Sequence, residues 1–287
     1  MTIKIYPMRD DFGAYVEGVQ IAAGVSPEQH AQVEDALTRY AFLCFPHQEI
    51  DDTQQLAFSR QFGDLYFEPD VSRRRLKDGH FQDVSNIDND NKGLLAEKAD
   101  RRMYSNANLL WHTDLSFVRN TARVTVLSAR QLPYDPPDTQ YADMRAAWDE
   151  LSDARKEMLR GLNAEHSVFT SRAKVGFTQF TDEQRARLPA VTHPLVRVHK
   201  RSGRESLYLA SHLSHIVGWD KSLSDELIEE LIAFCTQPRF VISHRWRPFD
   251  TVCWDDSCTM HRAMPFDSMN RRRELRWNAA LEEPVAA

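Results

Sequence analysis

Residues 239–281 read "RFVISHRWRPFDTVCWDDSCTMHRAMPFDSMNRRRELRWNAAL", and this stretch decides the fold. "RFVISHRW" and "DTVCWDD" are two short strand-like runs, a loop follows, and a last strand forms near "RRRELRWNAAL". Upstream, "YAFLCFP" (40–46) is an apolar run of strand length halted by Pro46, and "RVTVLSARQL" (123–132) is rich in β-branched residues and ended by Pro133, Pro136 and Pro137. "LVRVHK" and "ESLYLA" flank "RSG" at 201–203, a hairpin signal. Helical patterns lie between the strands. They are "DDTQQLAFSRQFG" (51–63), one or two helices over 143–162 with Asp143 and Ser152 as caps, and "SLSDELIEELIAFCTQP" (222–238) with Leu227, Leu231 and Cys235 on one stripe. Many short strands with inserted helices predict an all-β core of the α+β kind, a sandwich or jelly roll. No repeat or Gly/Ser linker divides the chain, so one domain over 1–287 is expected.

Composition excludes several function classes. The chain has 287 residues, 42% hydrophobic and 27% charged, with a net charge of −6. No broad basic field favours nucleic acid or an anionic membrane. The basic clusters at 73–77 and 271–273 are short. No apolar signal core or membrane-length run is present, and Cys44, Cys235, Cys253 and Cys258 form no CxxC pair. They read as reduced, buried thiols of a cytoplasmic protein; a zinc site through Cys253 and Cys258 lacks a second ligand pair. No phosphate-cradling glycine motif occurs.

One polar pair stands out in "NLLWHTDLSF" (108–117). In an extended segment, His112 and Asp114 point to one face and can share a point in space. A carboxylate amid Leu109, Leu110, Trp111, Leu115 and Phe117 needs a cation or a metal. His261 supplies a distant third donor. Two histidines and a carboxylate form a facial triad that leaves three positions of octahedral iron open for a chelating 2-oxo acid and dioxygen. The far carboxylate of that acid needs an arginine, expected 11 or 12 residues past the distal histidine, where "RRREL" lies.

"FPHQEIDDTQQLAFSRQFGDL", "LLWHTDLSF", "DTQYADMRAAWDEL", "PLVRVHKRSGRESLYLASHLSHI", "HRWRPFDTVCWDDSCTMHR" and "RRELR" run in order from about residue 40 to the C-terminus. In these motifs the chain resembles the taurine dioxygenase superfamily of Fe(II)/2-oxoglutarate oxygenases, most closely its 2,4-dichlorophenoxyacetate dioxygenase branch. The resemblance implies a double-stranded β-helix (jelly roll) and a requirement for Fe(II), 2-oxoglutarate and O2. It also implies iron ligands His112, Asp114 and His261, with Thr139 on the far carboxylate. That carboxylate's arginine is Arg273 if "RREL" aligns as a motif, or Arg272 if spacing from His261 is kept.

His199, His212 and His215 match a group near the family's substrate pocket. A second arginine, four residues after the first, helps hold the substrate's anion in the herbicide and taurine enzymes. Here that place falls on Trp277 counted from Arg273, or on Arg276 counted from Arg272; Lys174 or Arg172 could compensate. The loops 66–107 and 166–182 are the expected lid, with Phe169, Phe177 and Phe180 as aromatic lining.

The expected activity is hydroxylation of a small, aromatic or aryloxy carboxylic acid, with succinate and CO2 as coproducts, by a homo-oligomer that contacts neither nucleic acid nor membrane. Rival readings are a taurine-like alkylsulfonate dioxygenase, a zinc hydrolase with the same ligands, and a non-catalytic jelly-roll binding protein.

Overall fold

The computed structural model describes residues 2–69, 71 and 74–283; Arg73, in the basic cluster 73–77, lies outside the described residues. Fifteen strands run in chain order: β1 Lys4–Pro7, β2 Ala14–Glu17, β3 Phe42–Phe45, β4 Gln82–Ser85, β5 Ala122–Gln131, β6 Thr139–Asp143, β7 Asn163–His166, β8 Val191–Pro194, β9 Val196–Val198, β10 Glu205–Leu207, β11 Leu213–Ile216, β12 Val241–His244, β13 Thr251–Asp255, β14 Thr259–Ala263 and β15 Glu274–Leu281. Seven of them form a sheet in the order β1-β2-β3-β13-β5-β15-β4, antiparallel except for the β2–β3 pair. A second sheet, β12-β6-β14, faces it, and β11-β7-β8 and the β9–β10 hairpin stand beyond.

The centre of the large sheet is covered on both faces, which is why β3 (FLCF) and β13 (TVCWD) are buried at every position. Alternation along the strands sends neighbouring side chains to opposite sides. Leu43, Phe45, Val124, Val126 and Cys253 pack with Val33, Ala36 and Leu37 of the helix Pro27–Tyr40. Phe42, Cys44, Val252 and Trp254 pack instead with Tyr141 and Ile242 of the second sheet. A third core gathers around Lys221–Cys235, where Leu227, Ile228, Leu231 and Cys235 meet Met144, Ala147 and Trp148.

Most expected elements form near their expected bounds. The 51–63 pattern is a helix Asp52–Ser59 extended by a tighter turn, Arg60–Phe62. The 143–162 pattern is two helices, Met144–Asp149 and Asp153–Leu159, capped by Asp143 and Ser152 as expected. Three readings need correction. Residues 64–107 are not wholly irregular, since they hold β4 and the helix Asp100–Ser105. The helix Pro27–Tyr40 was not foreseen, although Ser26 and Gln29 close a capping box and Pro27 opens its first turn. Residues 108–117 are not an extended strand: only His112 makes a β-bridge, to His261, and a turn begins at Asp114.

Among the described residues, no helix is long and apolar enough to cross a membrane.

Candidate active site

His112 and His261 are joined through their backbones, each N–H donating to the other's carbonyl at 2.9 and 2.8 Å. His261 lies within β14, and Thr113 anchors the facing segment by placing its hydroxyl 2.9 Å from Leu209 O and 3.0 Å from Thr259 O. Two residues on, Leu115 takes a left-handed backbone (φ 50°) that a branched side chain rarely adopts. The chain therefore turns sharply after Asp114, and it is this turn, not a continuous strand, that presents the carboxylate. Asp114 Oδ1 lies 3.7 Å from His112 Nε2, and its Oδ2 lies 3.7 Å from His261 Nε2.

The donor set suits a divalent cation. His112 Nδ1 sits 2.8 Å from the Leu110 carbonyl, which can only accept, so that nitrogen carries the proton and Nε2 presents its lone pair. Burial pushes both histidines below their ordinary basicity, which keeps them in the neutral form that ligates. Burial also raises the Asp114 carboxyl, against the opposing pull of His112 and of its hydrogen bonds. Placing three such groups together without an ion leaves a buried carboxylate facing the Nε2 atoms of two neutral rings; a metal resolves that conflict.

Asp114 is held from behind by Trp277, which the sequence offered only as a substrate contact, and by Thr125 and Asp256, which sequence reasoning did not single out. Its Oδ2 accepts from Trp277 Nε1 at 2.8 Å and lies 3.1 Å from the Thr125 hydroxyl. Its N–H donates to Asp256 Oδ1 at 3.0 Å. Asp256 also accepts from Trp254 Nε1 at 3.1 Å and from Thr125 at 2.6 Å. Burial first, and the Asp114 charge second, push the Asp256 carboxyl well above the usual carboxylate range. Beyond Trp277, the trace of this network in the sequence is "WDD", shortly before the strand that carries His261.

Two further groups of metal-type donors occur among the described residues, Cys44/His244/Asp250 and His199/Asp255/Cys258. Neither lines the cavity that the triad faces. His199 Nε2 bonds Asp255 Oδ2 at 2.9 Å and its Nδ1 meets Ser202, so that pair braces the β9–β10 hairpin. The expectation that His199 stands at a substrate pocket is corrected accordingly. Cys253 and Cys258 are free and buried.

The cavity, about 180 Å³, is walled by the triad, Thr139, Arg273, His212 and the aromatic rings of Tyr66, Tyr104, Phe117, Trp254 and Trp277. It shares Arg74, Tyr104, Arg172 and Arg273 with a wider cavity of about 850 Å³ under the segments 82–109 and 177–184. Thr139 opens β6, and its Oγ1 accepts from Trp246 Nε1 at 3.0 Å, leaving the hydroxyl proton to donate elsewhere. Arg273 is 6% exposed, and its guanidinium makes no ion pair among the described residues; its Nε is unpartnered. Burial pulls this guanidinium down to about 10, so it remains a cation at neutral pH, awaiting an anion.

Other expected site residues lie elsewhere. Arg272 turns outward and donates to Asn91 Oδ1 at 2.8 Å. Arg276 occupies the opposite face of β15 and pairs with Glu274 at 2.6 Å and Asp52 at 3.4 Å. His215 is partly exposed beside Glu165, 3.6 Å away. Lys174 is exposed and lines neither cavity. Trp277 does reach the cavity, but its indole N–H is committed to Asp114. Phe177 lines the wider cavity, whereas Phe169 and Phe180 line neither; Phe180 packs edge-to-face against Phe169 and Phe177, at 4.7 and 5.1 Å between centroids. His212 is buried with its ring 4.8 Å from that of Phe117 and 6.3 Å from that of His112.

Known proteins resemble this chain over nearly its whole length. A 2,4-dichlorophenoxyacetate dioxygenase of Burkholderia sp. (strain RASC), dependent on alpha-ketoglutarate (2-oxoglutarate), is 39% identical over 280 residues, covering 96% of this chain and 93% of the relative. The (S)-phenoxypropionate/alpha-ketoglutarate-dioxygenase of Sphingobium herbicidovorans is 32% identical over 283 residues, covering 96% and 94%. The crystal structure of AAD-2 in complex with Mn(II) and N-oxalylglycine superposes with a TM-score of 0.91 at 35% identity, covering 100% of both chains. Residues 4–277 match the family described as "Taurine catabolism dioxygenase TauD, TfdA family". The chain belongs to that family, and it is an oxidoreductase that depends on Fe(II), 2-oxoglutarate and O2.

Proposed function

We propose that this dioxygenase hydroxylates a small aryloxy carboxylic acid at the carbon beside the ether oxygen, releasing a phenol and an oxo acid from the resulting hemiacetal. The observation that carries the reading is one cavity that holds the triad with Thr139 and Arg273 and also presents five aromatic rings, Tyr66, Tyr104, Phe117, Trp254 and Trp277, among aliphatic and polar side chains. The relatives that act on dichlorophenoxyacetate and phenoxypropionate support it. Within the same proposal, residues 1–287 form one domain, and the facing sheets β1-β2-β3-β13-β5-β15-β4 and β12-β6-β14 form a double-stranded β-helix.

His112, Asp114 and His261 hold the iron, with the Nε2 of His112 aimed by the Leu110 carbonyl and the carboxylate of Asp114 aimed by Trp277 and Thr125. Thr139 donates its hydroxyl proton to the far carboxylate of 2-oxoglutarate, and Arg273 neutralises that carboxylate with its guanidinium. Iron with 2-oxoglutarate and O2 supplies the oxidising power for C–H hydroxylation, with succinate and CO2 as coproducts. Tyr66, Phe117, Leu127 and Trp277 exclude water and orient the ring against the reacting edge.

The test is a panel of aryloxyalkanoates, aromatic acids and alkylsulfonates, scored by succinate released above the uncoupled background. Aryloxyalkanoates are expected to give the largest coupled signal. Coupling with alkylsulfonates alone would replace this reading with a taurine-like one.

A further inference from the structure

The cavity contains two buried guanidinium groups without ion-pair partners among the described residues, Arg273 and Arg172. Arg273 faces Thr139, and the far carboxylate of 2-oxoglutarate accounts for it. Arg172 needs a separate explanation. A buried, unpaired cation is costly to hold, and such a group is retained where an anion arrives to meet it. The other arginine on this wall, Arg74, is already paired with Glu68 at 3.6 Å. Arg276, which could have supplied the substrate's cation from β15, points to the opposite face of the sheet and is saturated with carboxylates.

Arg172 is 7% exposed and belongs to the short helix Val168–Ala173. Its guanidinium carbon lies over the ring of Tyr104, 4.0 Å from the centroid, and the group bonds only the neighbouring Ser171 hydroxyl, at 3.0 Å. Its Nε makes no hydrogen bond. The cation–π contact and the Ser171 bond hold the guanidinium in place while leaving its other N–H groups free to donate. Tyr104 is itself packed edge-on against Phe177, whose N–H donates to the Arg172 carbonyl at 2.9 Å. The side chain is thus pre-positioned at the neck between the triad's cavity and the wider one.

Resting on the aryloxy acid reading above, we infer that Arg172, held over the Tyr104 ring, binds the carboxylate of the substrate, the task that Trp277 cannot perform. Trp277 instead serves the metal ligand. The charges then match one to one: Arg273 with the cosubstrate's far carboxylate, Arg172 with the substrate's carboxylate.

The test uses the full chain loaded with Mn(II) and N-oxalylglycine, which stand in for iron and the keto acid without turnover. Phenoxyacetate and its neutral counterpart phenoxyacetamide are titrated by calorimetry. Native protein is expected to prefer phenoxyacetate. Arg172→Gln is expected to weaken phenoxyacetate roughly 100-fold while changing phenoxyacetamide and N-oxalylglycine less than about threefold. Arg172→Lys, which keeps the charge and guards against a folding defect, should retain part of the preference. Lys174→Gln should change nothing. Equal loss of both compounds in Arg172→Gln, or no loss of phenoxyacetate, overturns the assignment of Arg172 and leaves the aryloxy acid reading intact. Native protein that binds neither compound overturns both.

Discussion

Arg272 and Arg273 are adjacent in the sequence and chemically identical, yet one donates to Asn91 at the surface while the other is buried beside Thr139 and the triad. The difference is the parity of the strand they lead into. Arg273, Leu275 and Trp277 share the buried face of β15, while Glu274 and Arg276 share the other. Arg273→Gln is therefore expected to raise KM for 2-oxoglutarate by roughly 100-fold, through loss of a buried charge-assisted pair, whereas Arg272→Gln should leave it within about twofold; initial rates of succinate formation against 2-oxoglutarate measure both. Trp277 makes a second, separable prediction. Trp277→Phe keeps an aromatic ring in the cavity but removes the 2.8 Å bond to Asp114 Oδ2. Iron affinity should fall about 10-fold, read by competition with a chromogenic chelator, while KM for 2-oxoglutarate stays near its native value.

At the scale of elements, the strand pair β7–β8 carries a titrating core. His166 on β7 and His193 on β8 are buried, with ring centroids 5.3 Å apart, and both touch Tyr208. Burial, reinforced by Arg197, lowers His193 from 6.5 to about 4, and burial and His193 also hold His166 well below the ordinary imidazole range. An unfolded chain takes up these protons near pH 6.5, whereas the folded one resists until much lower pH. Stability is therefore full above pH 6.5 and is lost as pH falls towards 4, with His193 alone responsible for about 3 kcal/mol across that window. His193→Gln should flatten the acid limb of urea-unfolding free energies measured between pH 7 and pH 4.5. A limb as steep as that of the native protein would assign the acid sensitivity to other groups. Elements also show what local patterns reveal. The caps Asp143 and Ser152 and the stripe Leu227–Leu231–Cys235 were readable because capping and helical period are short-range. The helix Pro27–Tyr40 carried equally clear end signals in Ser26, Pro27 and Gln29. By contrast, β4 and the helix Asp100–Ser105 have weak patterns and depend on packing against β15 and the cavity.

For the whole molecule, the triad joins residues that are far apart in the chain, so metal binding reports on the assembled fold. Mn(II) at about 100 times its Kd should stabilise the protein by about 2.7 kcal/mol, a rise in melting temperature of roughly 5 °C that a chelator reverses and that His261→Ala abolishes. An unchanged melt on adding metal would argue against convergence of the three ligands. The sequence by itself determined that strands alternate with inserted helices, because periodicity is written locally, and it nominated His112, Asp114 and His261 as candidate donors by residue type and, through the family resemblance, Thr139 and an arginine in "RRREL" as their neighbours. Only the tertiary structure decided which arginine turns inward, that Trp277 and Asp256 brace Asp114, and that Arg172 and not Lys174 faces the cavity. The physical reason is that a side chain's direction depends on strand register and on sharp turns such as Leu115, and a shift of one residue reverses it.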